Sequence, residues 1–220
     1  MLEKLIQGGP IMIPLMICSV TMLAVLIDRF LAFRAYSKID SRSLRAEILT
    51  FVEEDRILDA KNLCASTPGP VSALLLVGLQ TYEEQKALGS SPERLRNLMG
   101  KAMDDFTPHA IHAVEKRLNW LATITNVSPL FGMVGTVTGM IKSFGSLKGA
   151  GSLDAGTVGA GISEALVATA TGLIIALSSV IPYNGFLNKI ERINLDMAEA
   201  SSELIDMVIK KMESAVTPGK

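Results

Sequence analysis

Three long stretches of this 220-residue chain contain no charged side chain, and they cover residues 11–27, 118–141 and 165–188. The rest of the chain carries 21 basic and 22 acidic side chains. A bilayer core about 30 Å thick is crossed by roughly 20 mostly apolar helical residues, within a range of about 17–25. A soluble fold would have to bury three helices that are apolar on every side. The stretches therefore predict three transmembrane helices.

The first apolar stretch reads as a retained anchor and not as a signal peptide. Glu3 and Lys4 cancel near the terminus, so a basic n-region is missing. The stretch also runs into Asp28 and Arg29 and not into a cleavage site of small residues.

The positions of lysine and arginine predict the orientation. Basic residues follow the first stretch and flank the other two on the same side, at Arg29, Arg34, Lys38, Arg42, Arg45, Lys116, Arg117, Lys189 and Arg192. Residues 1–10 and 143–163 hold only Lys4 and Lys148. The positive-inside rule then places the N-terminus outside and the C-terminus in the cytoplasm.

The segments between and after these stretches have a helical pattern. Apolar residues recur at helical spacing over 41–64, 71–88 and from 93 towards Trp120, with a bend or boundary expected at Pro108. We expect an all-α integral membrane protein whose long helices extend into the cytoplasm. The predicted organisation is an external amphipathic N-terminus at 1–10, transmembrane helices at 11–33, 118–144 and 158–187, a cytoplasmic helical segment at 34–117, an external loop at 145–157, and a cytoplasmic C-terminal helix and tail at 188–220.

Small and hydroxyl-bearing residues share one face of the second and third predicted spans. These are Gly132, Gly135, Thr136, Gly139 and Ser143 in the second span, and Ala165, Thr169, Gly172, Ala176 and Ser179 in the third. Such faces let helix backbones approach closely in lipid, so the glycines and alanines predict helix packing. Two interpretations stay open for Thr136 and Thr169. Each either bonds its own helix backbone or lines an aqueous or partner-filled centre.

Three further residues of these spans invite a functional reading. Glu164 is either an ion-handling carboxylate near the external mouth of a pore or an interfacial group at a helix start. Pro129 and Pro182 leave helix carbonyls unpaired, which suits a simple kink or a moving element.

The sequence contains no nucleophile motif, no phosphate-binding loop and no metal-ligand cluster. We therefore expect neither an enzyme nor a cofactor. The net charge of −1 gives no reason to expect a nucleic-acid partner. Work done by such a chain would draw on an ion gradient across the membrane.

Two span motifs resemble the signature of the MotA/TolQ/ExbB family. They are PLFGMVGTVTG at 129–139 and GISEALVATATG at 161–172. The Gly8-Gly9-Pro10 turn that leads to Cys18 and Ser19 is similar to the short ExbB branch. Three spans and a large first cytoplasmic segment match ExbB and TolQ over essentially the whole chain, whereas MotA has a fourth span.

The resemblance implies a subunit of a bacterial inner-membrane motor. Copies of the chain would form a ring, typically a pentamer, around two ExbD/TolR-like single-span subunits, whose aspartate carries the ion. The family's pore threonines match Thr136 and Thr169, and its third-span glutamate matches Glu164. In the ExbB branch the work reaches a TonB-like protein and outer-membrane transport. A TolQ-type or other specialised envelope or gliding motor and a non-conducting membrane scaffold are the alternatives.

The chain departs from the family pattern at two positions. Thr138 stands where a tryptophan is common, and it joins Thr171 and Ser143 as an accessory polar residue. A proline often found near Ser178 is absent, and Pro182 follows four residues later. The transported ion is H⁺ or, as the alternative, Na⁺.

Overall fold

A computed structural model describes residues 8–36, 40–150 and 155–216, and this part of the chain is helical without any strand. The prediction of an all-α fold is confirmed. The helices are α1 (Met12–Tyr36), α2 (Ser41–Glu53), α3 (Ile57–Ser66), α4 (Pro70–Ala87), α5 (Pro92–Glu115), α6 (Leu118–Ala150) and α7 (Ala155–Val216).

The helix expected over 41–64 is broken in the middle, which corrects the prediction. α2 ends at Glu53, and Asp55 has a positive φ of 63° before α3 begins. The Lys211 ammonium donates hydrogen bonds to the carbonyls of Val52 and Glu53, at 2.6 and 3.2 Å, and to Asp55 Oδ1 at 3.0 Å. A cation from a distant part of the chain thus donates hydrogen bonds to the unpaired carbonyls at the end of α2. The spacing of apolar residues within 41–64 cannot predict such a contact.

Pro108 lies inside α5 and does not end it. The carbonyl that this proline leaves unpaired belongs to Asp104, an exposed residue, so water can satisfy it. The helix ends at Glu115 instead, and α6 begins at Leu118.

The loop predicted at 145–157 is helical at both of its ends. α6 continues to Ala150 and α7 begins at Ala155, while residues 151–154 lie outside the described residues. The glycines in this region suggest a loop, but a glycine in a helix also allows a neighbouring helix to pack closely. A Cβ on Gly161 would overlap Ser143 Oγ, so glycine lets the two helices approach there.

The chain divides into two compact units. The apolar unit comprises residues up to Phe30 and Arg117–Phe186, and the polar unit comprises Leu31–Lys116 and Leu187 onwards. α1 and α7 each contribute residues to both units.

The polar unit has its own hydrophobic core, built by α2–α5 and the second part of α7. Met197, Ala200, Leu204 and Val208 are buried at helical spacing along α7. The buried Arg45 of α2 forms an ion pair with Glu199 of α7, at 2.9 Å.

Burial in this core raises the pKa of the Cys64 thiol to about 11, so this cysteine is protonated at neutral pH.

The apolar unit presents large apolar side chains on its outside. Three helices are long and apolar enough to cross a bilayer, within Met12–Arg34, Leu118–Gly145 and Val158–Ser214. Their outward-facing residues are 45–72% exposed, and they include Ile13, Ile17, Val20 and Ile27 in α1, Met133, Val137 and Ile141 in α6, and Leu166, Ile174, Leu177 and Ile181 in α7. Such a surface suits lipid or further membrane helices.

Candidate functional site

The predicted small residues lie where α6 and α7 pack against each other. A Cβ added to Gly132 would lie 3.0 Å from Thr169 Cα, and one added to Gly172 would lie 2.5 Å from the Ser128 carbonyl oxygen. A Cβ on Gly139 would meet Ala165 Cβ at 2.8 Å. Backbone therefore touches backbone along this contact, which we call the α6–α7 seam.

Hydroxyl groups donate hydrogen bonds across the seam at three levels. Thr169 Oγ1 donates to the Gly132 carbonyl at 2.9 Å. Ser179 Oγ, which is buried, donates to the Leu121 carbonyl at 3.0 Å. At the other end Ser143 Oγ lies 3.0 Å from the Gly139 carbonyl and 3.4 Å from the Val158 carbonyl.

The other predicted hydroxyls bond to their own helices. Thr136 Oγ1 donates to the Met133 carbonyl at 2.7 Å, and Thr171 Oγ1 donates to the Val167 carbonyl at 2.8 Å. Thr138, which is exposed, bonds the Val134 carbonyl at 3.0 Å. Thr136 and Thr169 therefore do not bond each other within one chain. Each hydroxyl oxygen still has lone pairs with which to accept a further hydrogen bond.

Ser128 is a seam residue that the sequence analysis missed. Its side chain is fully buried, and its Oγ has no hydrogen-bond partner among the described residues. The signal was present, because Ser128 precedes Gly132 by four residues and so continues the same helix face.

Glu164 lies beside two residues that the sequence analysis did not connect with it. Its Oε2 accepts a hydrogen bond from Lys142 Nζ at 2.7 Å. A Cβ added to Gly9 would overlap its Oε1, so the Gly8–Pro10 turn packs against this carboxylate. Lys142 is the first charge after the second apolar stretch and Glu164 the last before the third, and neighbouring ends of two antiparallel spans can bring such charges together.

Pro129 and Pro182 both lie inside continuous helices. Ala165 and Ala176, for which a packing role is predicted, are buried. Within residues 8–36, 40–150 and 155–216, no group of three or more His, Cys, Asp or Glu side chains is placed to hold a metal ion. The arrangement offers hydroxyls and one paired carboxylate on apolar helices, which suits interaction with ions or with a partner helix.

Comparison with known proteins identifies the family. The model of the MotA/TolQ/ExbB proton channel family matches residues 67–199, which include all of α6 and the apolar part of α7. The Tol-Pal system protein TolQ of Pseudomonas aeruginosa is 31% identical over 180 residues, 80% of this chain and 76% of that protein.

Two further relatives agree with this match. TolQ of Haemophilus influenzae is 34% identical over 124 residues, or 56% of this chain, and the match spans about half (54%) of that protein's length. The biopolymer transport protein ExbB of Salmonella typhimurium is 25% identical over 196 residues, 89% of this chain and 79% of that protein. With its helical fold and three apolar helices, the chain belongs to the MotA/TolQ/ExbB proton channel family.

Proposed function

We propose that this protein is an ExbB-like subunit of an ion-driven motor in the bacterial inner membrane. One observation carries the proposal: the family match encloses α6 and the apolar part of α7, where Thr136 and Thr169 bear hydroxyls on helices able to cross a bilayer. Five copies would surround two ExbD/TolR-like single-span partner subunits, whose aspartate carries the proton. The motor would couple the proton-motive force to TonB-dependent outer-membrane transport.

The seam would supply the polar lining that this mechanism needs. Thr169 is fixed by its bond to the Gly132 carbonyl, so its remaining lone pairs keep a defined direction. Thr136 is held by the Met133 carbonyl in the same way. Hydroxyls held like this can accept a hydrogen bond from a partner carboxylic acid that moves past them. The membrane potential supplies about 2.3 kcal/mol per charge per 100 mV for that movement.

The charge distribution supports an N-terminus in the periplasm and a C-terminus in the cytoplasm. In this orientation the polar unit lies on the cytoplasmic side. Lys142 and Glu164 lie towards the periplasmic ends of their spans.

A TolQ-type motor is the second candidate. It is favoured by two relatives at 31–34% identity that are Tol-Pal system proteins. The ExbB assignment is supported by the Gly8-Gly9-Pro10 turn and by the longer alignment with Salmonella ExbB, over 89% of the chain. Co-purification separates them, because an ExbB-type subunit retains an ExbD-like and a TonB-like protein, whereas a TolQ-type subunit retains a TolR-like protein.

Thr169→Ala tests the proposed function. The change removes the hydroxyl that faces the seam, so we expect proton flux through the complex with its single-span partner to fall at least several-fold. Flux is measured in liposomes under an imposed membrane potential with a pH-sensitive dye, at equal amounts of assembled complex.

Two further variants control for structural damage. Thr169→Ser keeps the hydroxyl and should retain most of the flux. Thr123→Ala removes an exposed α6 hydroxyl that bonds its own helix, and it should leave the flux unchanged. Normal flux in assembled Thr169→Ala would contradict the lining role. Absence of flux in the assembled wild-type complex would favour a scaffold.

A further inference from the structure

The Glu164 carboxylate is enclosed on two sides. Oε2 accepts the hydrogen bond from Lys142 Nζ at 2.7 Å, and Oε1 faces Gly9, where a side chain would overlap it. Gly9 has a φ of 71°, a conformation that favours glycine and brings the backbone close. The Glu164 side chain is only 18% exposed, so both carboxylate oxygens already have close neighbours.

Lys142 is the more exposed member of this pair. Its side chain is 69% exposed, whereas that of Glu164 is 18% exposed. The pair carries no net charge. A bare cation such as Na⁺ binds oxygen ligands, and a carboxylate is the oxygen ligand that also carries a negative charge. To bind Glu164 it would have to compete with the Lys142 ammonium for Oε2.

A proton does not need a free carboxylate at this position. It can pass between hydroxyls, water and a partner carboxylic acid, since a hydroxyl both donates and accepts. The Lys142–Glu164 pair therefore hinders a metal cation and leaves this proton route open.

From this geometry we infer that Lys142 is a specificity-determining residue, which excludes Na⁺ from the ion pathway by occupying Glu164. The inference rests on the proposed function and assigns a role to a residue outside the two family motifs. Lys142 acts through Glu164 and does not itself carry the ion.

Ion flux through the full complex tests this role. The wild-type protein and its single-span partner are reconstituted in liposomes, and H⁺ and Na⁺ fluxes are followed with two dyes at one pH and one membrane potential. The wild-type complex should pass protons equally well in sodium and in potassium buffer. Lys142→Gln should raise Na⁺ flux several-fold, because Glu164 then becomes available to the cation.

Three variants separate this role from a structural one. Lys142→Arg keeps the ion pair and should behave as wild type. Lys142→Gln combined with Glu164→Gln should return Na⁺ flux to the wild-type level, because the carboxylate ligand is gone. Lys101→Gln, the same change at an exposed lysine of α5, should alter neither flux.

The inference alone is overturned if protons pass but Lys142→Gln leaves Na⁺ flux unchanged, or if the double variant keeps the Na⁺ gain. It is also overturned if wild-type flux depends on Na⁺, a result that requires no variant to fold. A wild-type complex that passes neither ion would overturn the proposed function as well.

Discussion

At the level of single residues, the α6–α7 seam depends on glycines, which have no side chain to keep the two helices apart. Gly172 lies against the Ser128 carbonyl, and Gly132 lies against the Thr169 backbone. In lipid, where burying apolar surface gains little, van der Waals packing at such close contacts and hydrogen bonds between helices drive helix association. The glycines thus set how near the hydroxyl of Thr169 comes to the opposite helix.

Gly172→Ala should destabilise the protein by about 1–3 kcal/mol, because the new methyl group meets backbone that cannot rotate away. Its Cβ would lie 2.5 Å from the Ser128 carbonyl oxygen and 3.3 Å from Gly132 Cα. The measurement is the thermal unfolding midpoint of the protein in detergent. Gly185→Ala is the matched control, because it lies in the same helix with nothing within 4 Å of the added Cβ. Equal midpoints for the two variants would show that the seam is not tightly packed.

The period of the helix made the seam residues predictable, but it could not predict their partners. Spacing places Gly132 and Thr169 each on a small-residue face. The bond between them joins residues 37 positions apart and depends on the axial register of two helices. Lys142 and Glu164 are 22 positions apart, and they meet for the same reason.

At the level of helices, sequence signals found the helices better than their ends. The break between α2 and α3 depends on Lys211, which is 156 residues away from Asp55. A hydrogen bond donated by Lys211, and a smaller contribution from one donated by Lys86, hold the pKa of the Asp55 carboxyl below its usual value of 3.8. The stabilisation from this ionised carboxylate is complete above pH 3.8 and is lost as the pH falls through the lower folded-state pKa.

Lys211→Met should lower stability at pH 7 by about 1–2 kcal/mol, because the last carbonyls of α2 lose a charged donor. Lys210→Met is the control, since Lys210 is the exposed neighbour in the same helix. Thermal unfolding followed by circular dichroism compares the two. A midpoint that falls no further for Lys211→Met than for Lys210→Met would mean that the break at Asp55 needs no cation.

At the level of the whole molecule, the segregation of charge along the sequence predicts the division into two units. Apart from Leu187 and Asn188, the long uncharged stretches fall in the apolar unit. Most charged residues and the large hydrophobic core fall in the polar unit. α7 is 62 residues long, far more than the roughly 20 helical residues needed to cross a bilayer. A ring size and a partner would depend on contacts between chains, and the pattern of one chain does not specify such contacts.

We propose that this chain conducts ions as part of a motor, and only together with a single-span partner. The most direct test is proton uptake into liposomes under an inside-negative potential, with the chain alone, the ExbD/TolR-like partner alone, or the purified complex. We predict uptake with the complex and none above background with either protein alone. An intact complex that shows no uptake, or equal uptake by this chain without any partner, would contradict the account.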